Sequence, residues 1–238
     1  MRSAEHHLFF SSAIMGDRLM LSADETRHAM QVLRLRAGQR FTATDGKGVV
    51  YECVVDSLDK GECSGTITKR MVGDPLKPEI TCYIGLPEHN SFETILENLV
   101  PLGVSTIVPM VCAYCQKQWW KPSWNAQNTR FHKKMIAGLK QSLNPWLPAL
   151  EEPIGFTDAV DRVLGICVTA DEEGTPAVEW LSHTRAIEQV SCFIGPPGGF
   201  APEELALLKK KGCVGVRLSS HRLRTELAAV VLCGMFGA

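Results

Sequence analysis

The chain has 238 residues, 45% hydrophobic and 21% charged, enough for one large domain or two smaller ones with real cores. Its 25 basic and 26 acidic residues leave a formal net charge of −1, so no wholesale electrostatic attraction to nucleic acid is encoded. No apolar run is long enough to span a membrane, and the opening Met1-Arg2-Ser3-Ala4-Glu5-His6-His7 leads into too few apolar residues for a secretory signal, which points to a cytoplasmic protein. The nine cysteines are scattered singly among apolar residues, as reduced core thiols would be. The one close pair, Cys112 and Cys115, has no second pair or spaced histidines nearby to complete a zinc site, so no metal is expected.

The first seventy residues read as mostly β. Ser22-Ala23-Asp24-Glu25 resembles a capping box, and Ala29, Val32 and Leu33 give one short helix its apolar face. Strands are predicted over 40–45 and 49–56, joined by the hairpin signal Asp45-Gly46-Lys47-Gly48, and a third over 62–70. Several short strands with one helix suggest a small barrel. Residues 72–78, with two prolines and a glycine, look like a linker, which gives domains over 1–72 and 73–238.

From Glu79 the pattern becomes an alternation of strands (80–86, 105–110, 165–169, 190–194, 214–218) and helices (92–102, 130–143, 156–163, 202–211, 225–236). Such alternation implies an α/β domain with a mostly parallel sheet covered on both faces. Ligands in these sheets bind beyond the carboxyl ends of the strands. There the sequence places Ile194-Gly195-Pro196-Pro197-Gly198-Gly199-Phe200, before a helix opening Pro202-Glu203-Glu204, and Leu218-Ser219-Ser220-His221-Arg222-Leu223-Arg224 before the last helix. Neither the dinucleotide Gly-x-Gly-x-x-Gly nor the P-loop signature occurs where it would be needed. Backbone groups of Thr169, Ala170, Ile194, Gly195, Pro196, Gly198, Gly199, Leu218, Ser219 and Leu223 are therefore expected to grip an adenosine-type cofactor. Between Val111 and Leu150 there is no acid, yet Lys117, Lys121, Arg130, Lys133, Lys134 and Lys140 occur together with Trp119, Trp120, Trp124 and Trp146. This mixture suits either phosphate attraction with base stacking or a helix face whose tryptophans pack on a dimer partner.

Several of these segments resemble the ribosomal RNA small-subunit methyltransferase E family of the trefoil-knot (SPOUT) superfamily. That family shows Ile-Gly-Pro-Glu-Gly-Gly-Phe, Glu-Glu on a helix, and then Leu-Gly-x-x-Ile-Leu-Arg-x-Glu-Thr-Ala. Here the corresponding residues are Ile194–Phe200, Glu203-Glu204, and Leu218 to Ala228. His28-Ala29-Met30-Gln31-Val32-Leu33-Arg34 matches the N-terminal signature, and Leu102-Gly103-Val104, Pro109, Gln141-Ser142 and Pro148 match further segments in order. The resemblance implies a PUA-like β-barrel for RNA, then an α/β trefoil-knot domain that binds S-adenosylmethionine. It also implies a homodimer that methylates N3 of a uridine in 16S ribosomal RNA or the small subunit. Arg224 and Glu226 are the candidates for the chemistry, as stabiliser of the uracil anion and proton acceptor, and Arg34, Arg36, Lys133 and Lys134 for RNA contact.

The chain departs from the family pattern at Pro197, where the loop has Glu, and at Asn98, Pro101, Lys140, Asn144, Ser219, His221 and Leu227. A rival reading is a non-catalytic RNA-binding or ribosome-assembly paralogue, and a third is a methyltransferase with another RNA target.

Overall fold

The computed structural model describes residues 7–59, 61–116, 124–182 and 187–237. Lys117, Trp119, Trp120 and Lys121 of the basic stretch lie outside the described residues. The chain divides into two compact units, Met1–Pro75 with Leu139–Leu147, and Leu76–Gly138 with Pro148–Ala238. Against the expected division after residue 72, the added feature is the short later segment that joins the first unit.

The first unit contains β1 (Leu8–Phe10), β2 (Ala13–Met15), β3 (Arg18–Leu21), α1 (Ala23–His28) running into a π-helical turn (Ala29–Leu33), β4 (Arg40–Thr44), β5 (Val49–Asp59) and β6 (Glu62–Val72). The strands form one six-stranded sheet in the order β1-β4-β5-β6-β3-β2. Its two edge strands, β1 and β2, are separated in sequence by Ser11 and Ser12 alone, so the edges must meet and the sheet curls into a barrel. Ser11 makes the corner: its N–H donates to Thr44 at 2.9 Å and its hydroxyl to the Met20 carbonyl at 2.6 Å. Tyr51, Cys53 and Val55 alternate inward along β5 and join Phe9, Leu19, Phe41 and Ile67 in the core. Ser22 caps α1 by accepting the Glu25 N–H at 3.3 Å.

Leu139–Leu147 is built into this barrel. The Pro145 carbonyl accepts the Gly48 N–H at 3.0 Å, the Leu147 N–H donates to Gly46 at 2.8 Å, and the Trp146 indole N–H donates to Asp74 at 3.2 Å. The indole lies where a Cβ on Gly48 would stand, which makes glycine obligatory there. Trp146, read from the sequence either as a base-stacking residue or as packing on a dimer partner, is thus a packing residue of the barrel.

The same segment brings Lys140 to within 2.5 Å of the Glu25 carboxylate, whose residue is 7% exposed. The departure at Lys140 has its counter-charge inside the chain. A buried carboxylate stripped of its cation is costly, and Lys140→Met is expected to lower unfolding stability by about 3 kcal/mol. An unchanged denaturation midpoint would remove this pair from the account of stability. Burial, then the nearby Lys140, pushes the His28 imidazole below its usual value, so His28 serves the packing of this unit rather than a charged role.

The second unit contains β7 (Glu79–Gly85), α2 (His89–Leu99), β8 (Val104–Val111), the part of α3 (Trp124–Ser142) up to Gly138, β9 (Ala149–Leu150), β10 (Ile154–Gly155) and α4 (Phe156–Asp161). Then follow β11 (Ile166–Pro176), α5 (Ala177–Ser182), β12 (Gln189–Ile194), α6 (Pro202–Lys210), β13 (Val214–Arg217) and α7 (Thr225–Gly234). The sheet runs β10-β8-β7-β12-β11-β13, with β9 beside β8, and every pairing is parallel. The α/β unit with a parallel sheet is the architecture expected. The central strands β7 and β12 are buried almost throughout, which is why they read as near-continuous apolar runs.

The topology returns on itself at the end of the chain. β13 lies at one edge, yet α7, which follows it, packs on β7 and β12 and against α2. Residues 218–224 must therefore cross back over the carboxyl ends of the inner strands. Cys233 of α7 is hydrogen-bonded there to Cys82 of β7 and Cys192 of β12, three thiols in a dry core.

One reading from sequence is corrected here. Cys167 and Cys213, expected as reduced thiols, are joined in a disulfide. The β11–β13 register sets Val168 opposite Val214, so the preceding cysteines are also opposite each other, with Cα atoms 4.5 Å apart. Trp124, read either for base stacking or for packing on a dimer partner, lies in an aromatic cluster with Phe131 (centroids 5.2 Å apart) and Phe92 (6.1 Å). Arg130 and Lys134 of α3 are held by Glu93, itself 5% exposed, and Glu97 also meets Lys134 at 3.4 Å. Lys133 of the same helix is exposed.

Candidate functional site

A cleft of about 790 Å³ opens at the carboxyl ends of β11, β12 and β13. Three chain segments form it: the start of the β11 bulge at Ala170-Asp171-Glu172, the loop after β12, and the loop from Arg217 into α7. A fourth wall, Glu88 and Ser91, comes from the start of α2 after central strand β7. Of the expected cofactor residues, Ala170, Ile194, Gly195, Pro196, Gly199, Leu218, Ser219 and Leu223 line the cleft. Thr169 and Gly198 stand behind it: the Thr169 hydroxyl donates to the Phe193 carbonyl at 3.2 Å, and Gly198 faces Tyr114.

The loop after β12 has its shape dictated by sequence. The Gly199 N–H donates to the Pro196 carbonyl at 2.8 Å, closing a β-turn with Pro197 and Gly198 at its centre. Pro197 falls at the second turn position, where its fixed φ fits and an N–H has no task. The departure at Pro197 therefore costs the turn nothing, although it removes a carboxylate. Gly199 has φ of +76°, and a Cβ there would meet nothing, so bare backbone faces open cleft. Beneath the loop lies Gly85, the last residue of β7: a Cβ on it would fall 2.5 Å from the Pro196 nitrogen.

Both signs of charge line the cleft: Glu88, Asp171, Glu172 and Glu226 against Arg217, Arg222 and Arg224, with His221 beside them. Arg222 and Glu172 pair at 3.3 Å, both well exposed, a contact worth little. Arg224 is the N-cap of α7 in extended backbone (φ −70°, ψ 154°), and Glu226 sits in the first turn. Among the described residues neither has a side-chain partner. An unpaired guanidinium and carboxylate on one wall can stabilise a developing anion and accept a proton. Glu88, Ser91, Asp171, Glu172 and Arg217 were missed in the sequence. The rule that put the site beyond the strand ends, applied to β7 as well, would have found Glu88.

Behind the cleft, Cys112 and Cys115 close a tight turn after β8. The Cys112 N–H donates to the Cys115 sulfur at 3.2 Å, and Cys115 N–H to the Cys112 carbonyl at 3.1 Å. The Cys112 thiol also hydrogen-bonds to that sulfur and holds Cys115 down at about 7, while Cys112 keeps its proton and is pushed up. Only the thiolate alkylates, so Cys115 in the native protein should react with iodoacetamide to half its maximal rate near neutral pH. A rate still climbing above pH 8.5 would contradict this hydrogen-bonded arrangement. Among the described residues no group of three or more His, Cys, Asp or Glu converges to hold a metal ion.

Comparison with known proteins agrees with this architecture. A family model described as an RNA methyltransferase domain matches residues 74–237, and one described as an RNA methyltransferase PUA domain matches 21–68. The "Ribosomal RNA small subunit methyltransferase E" of Mycobacterium bovis is 27% identical over 229 residues, covering 92% of this chain and 85% of that protein. The crystal structure of a probable rRNA-methyltransferase from Porphyromonas gingivalis superposes with a TM-score of 0.81 at 27% identity, covering 95% of each chain. A ribosomal RNA small subunit methyltransferase E from Neisseria gonorrhoeae, bound to S-adenosyl methionine, superposes with the same TM-score of 0.81 at 22% identity, covering 95% of this chain and 94% of that one.

Proposed function

Because this chain belongs to the RNA methyltransferase family, we propose that it transfers the methyl group of S-adenosylmethionine to N3 of a uridine in 16S ribosomal RNA. The observation that carries this reading is the convergence of Ala170–Glu172, Ile194–Phe200 and Leu218–Arg224 on one cleft. The fold is shared with a relative that binds that cofactor. The cleft suits the group: backbone faces it at Gly199, Leu205 and Leu223 offer apolar contact for an adenine, and charges of both signs can meet an amino-acid end.

When bound, S-adenosylmethionine supplies a methyl carbon activated by its sulfonium. The chain's task is to hold a uracil N3 in line with that carbon, since positioning supplies much of the rate. N3 is a poor nucleophile until its proton leaves. Glu226 accepts that proton, and Arg224 stabilises the negative charge left on the ring. Arg34 and Arg36, exposed at the end of the π-helical turn, contact RNA phosphate, and Lys133 adds a further basic contact. Lys134 contributes less, because Glu93 and Glu97 neutralise it. The protein works in the cytoplasm as a homodimer on ribosomal RNA or the small subunit, and no helix among the described residues is long and apolar enough to cross a membrane.

Calorimetric titration with S-adenosylmethionine tests the first half of the reading, and absence of binding at millimolar ligand would return the chain to the non-catalytic rival. Mass mapping of ribosomal RNA from cells lacking the protein tests the second. The expected result is loss of one N3-methyluridine, and an unchanged map would reject the target.

A further inference from the structure

One carboxylate outside the cleft holds two loops at once. Glu204, in the first turn of α6, accepts the Ala201 N–H at 2.9 Å through one oxygen and the Ala113 N–H at 2.8 Å through the other. Ala201 ends the loop that begins at Ile194 and lines the cleft. Ala113 lies in the Cys112–Cys115 turn, 91 residues earlier. In that turn Tyr114 stands directly behind Gly198, so close that a Cβ on the glycine would fall 3.0 Å from the tyrosine Cβ. The turn backs the cleft loop, and Glu204 ties the two together. The N-cap residue of α6 is an alanine with no side chain to offer, and this carboxylate takes up the Ala201 N–H at the helix entrance.

We propose that Glu204 is a positioning residue for the methyl-donor site, fixing the backbone of residues 195–199 against the turn after β8. The inference rests on reading the cleft as that site. Glu204 does not line the cleft and does not act on the reacting atoms. Its chemistry makes a sharp demand, because two backbone N–H groups need two acceptors. A glutamine has one acceptor and would turn its own N–H₂ toward the second amide. The isosteric swap should therefore be as harmful as truncation.

The test compares wild type, Glu204→Gln and Glu204→Ala by calorimetric titration with S-adenosylmethionine and by amide hydrogen exchange of the ligand-free protein. Both variants should bind about tenfold more weakly. Exchange should quicken at Ala113, at Ala201 and through 195–199, with the sheet amides still protected. Adding Ala201→Ser to Glu204→Gln restores a helix cap. It should recover thermal stability without recovering affinity or loop protection, since nothing then holds Ala113. Wild-type affinity with wild-type exchange in Glu204→Gln would overturn the proposal, as would recovery of affinity by the added serine. If the wild type binds no cofactor while exchange in Glu204→Gln still quickens, the clamp stands and the cofactor reading falls.

Discussion

Arg224→Ala should lower the rate of methyl transfer about 10²–10³-fold, the usual cost of removing one preorganised group that meets developing charge, and leave cofactor affinity within a few-fold of wild type. The side chain leaves the start of α7, lines the cleft and has no competing partner among the described residues. Its absence removes charge stabilisation without disturbing a pair. The α7 N-terminus keeps its helical bond, because the Arg224 carbonyl, not its side chain, accepts the Ala228 N–H at 2.9 Å. Single-turnover transfer of a labelled methyl group, with calorimetry on the same preparation, separates rate from binding. A variant that transfers at the wild-type rate removes Arg224 from the mechanism.

Gly85→Val should weaken S-adenosylmethionine binding about tenfold to a hundredfold, or more than 1.4 kcal/mol, within the range that overpacking costs. The first added carbon already lies 2.5 Å from the Pro196 nitrogen and 3.0 Å from the Gly195 carbonyl carbon. These are backbone atoms at the root of the cleft loop, with no rotamer by which to yield. Either β7 or the loop must move, and the loop is the softer of the two because β7 is paired on both sides. Calorimetry reads the effect, with a thermal melt to check that the fold persists. A stable variant with unaltered affinity would show that the loop root does not set the cofactor site.

Much of the α/β unit was legible because a parallel strand buried on both faces reads as a near-continuous apolar run, and β7, β8 and β12 largely do. β9 and β10, two residues each, carry no such pattern, and the second half of β11 resumes after a bulge that an acidic run disguises. The cleft loops were visible because Gly and Pro mark backbone that must bend or lie bare. The residues missed take their meaning from partners far along the chain. Glu204 reads as an ordinary helix-start acid until Ala113 is seen to meet it, and Cys167 as a lone thiol until Cys213 faces it. Trp124 and Trp146 were read through their basic neighbours in sequence, while each is fixed by its neighbours in space.

The segment Leu139–Leu147 makes the barrel a discontinuous object in the gene. A fragment ending at residue 75 would lose the partners of Thr44, Gly46 and Gly48 and leave an indole-sized hole beside Gly48. The barrel of this chain cannot be separated whole by a single cut at the apparent linker. A breakpoint there severs the module from its own last piece. Anyone wishing to transplant the barrel must carry both coding stretches and join them with a new connection.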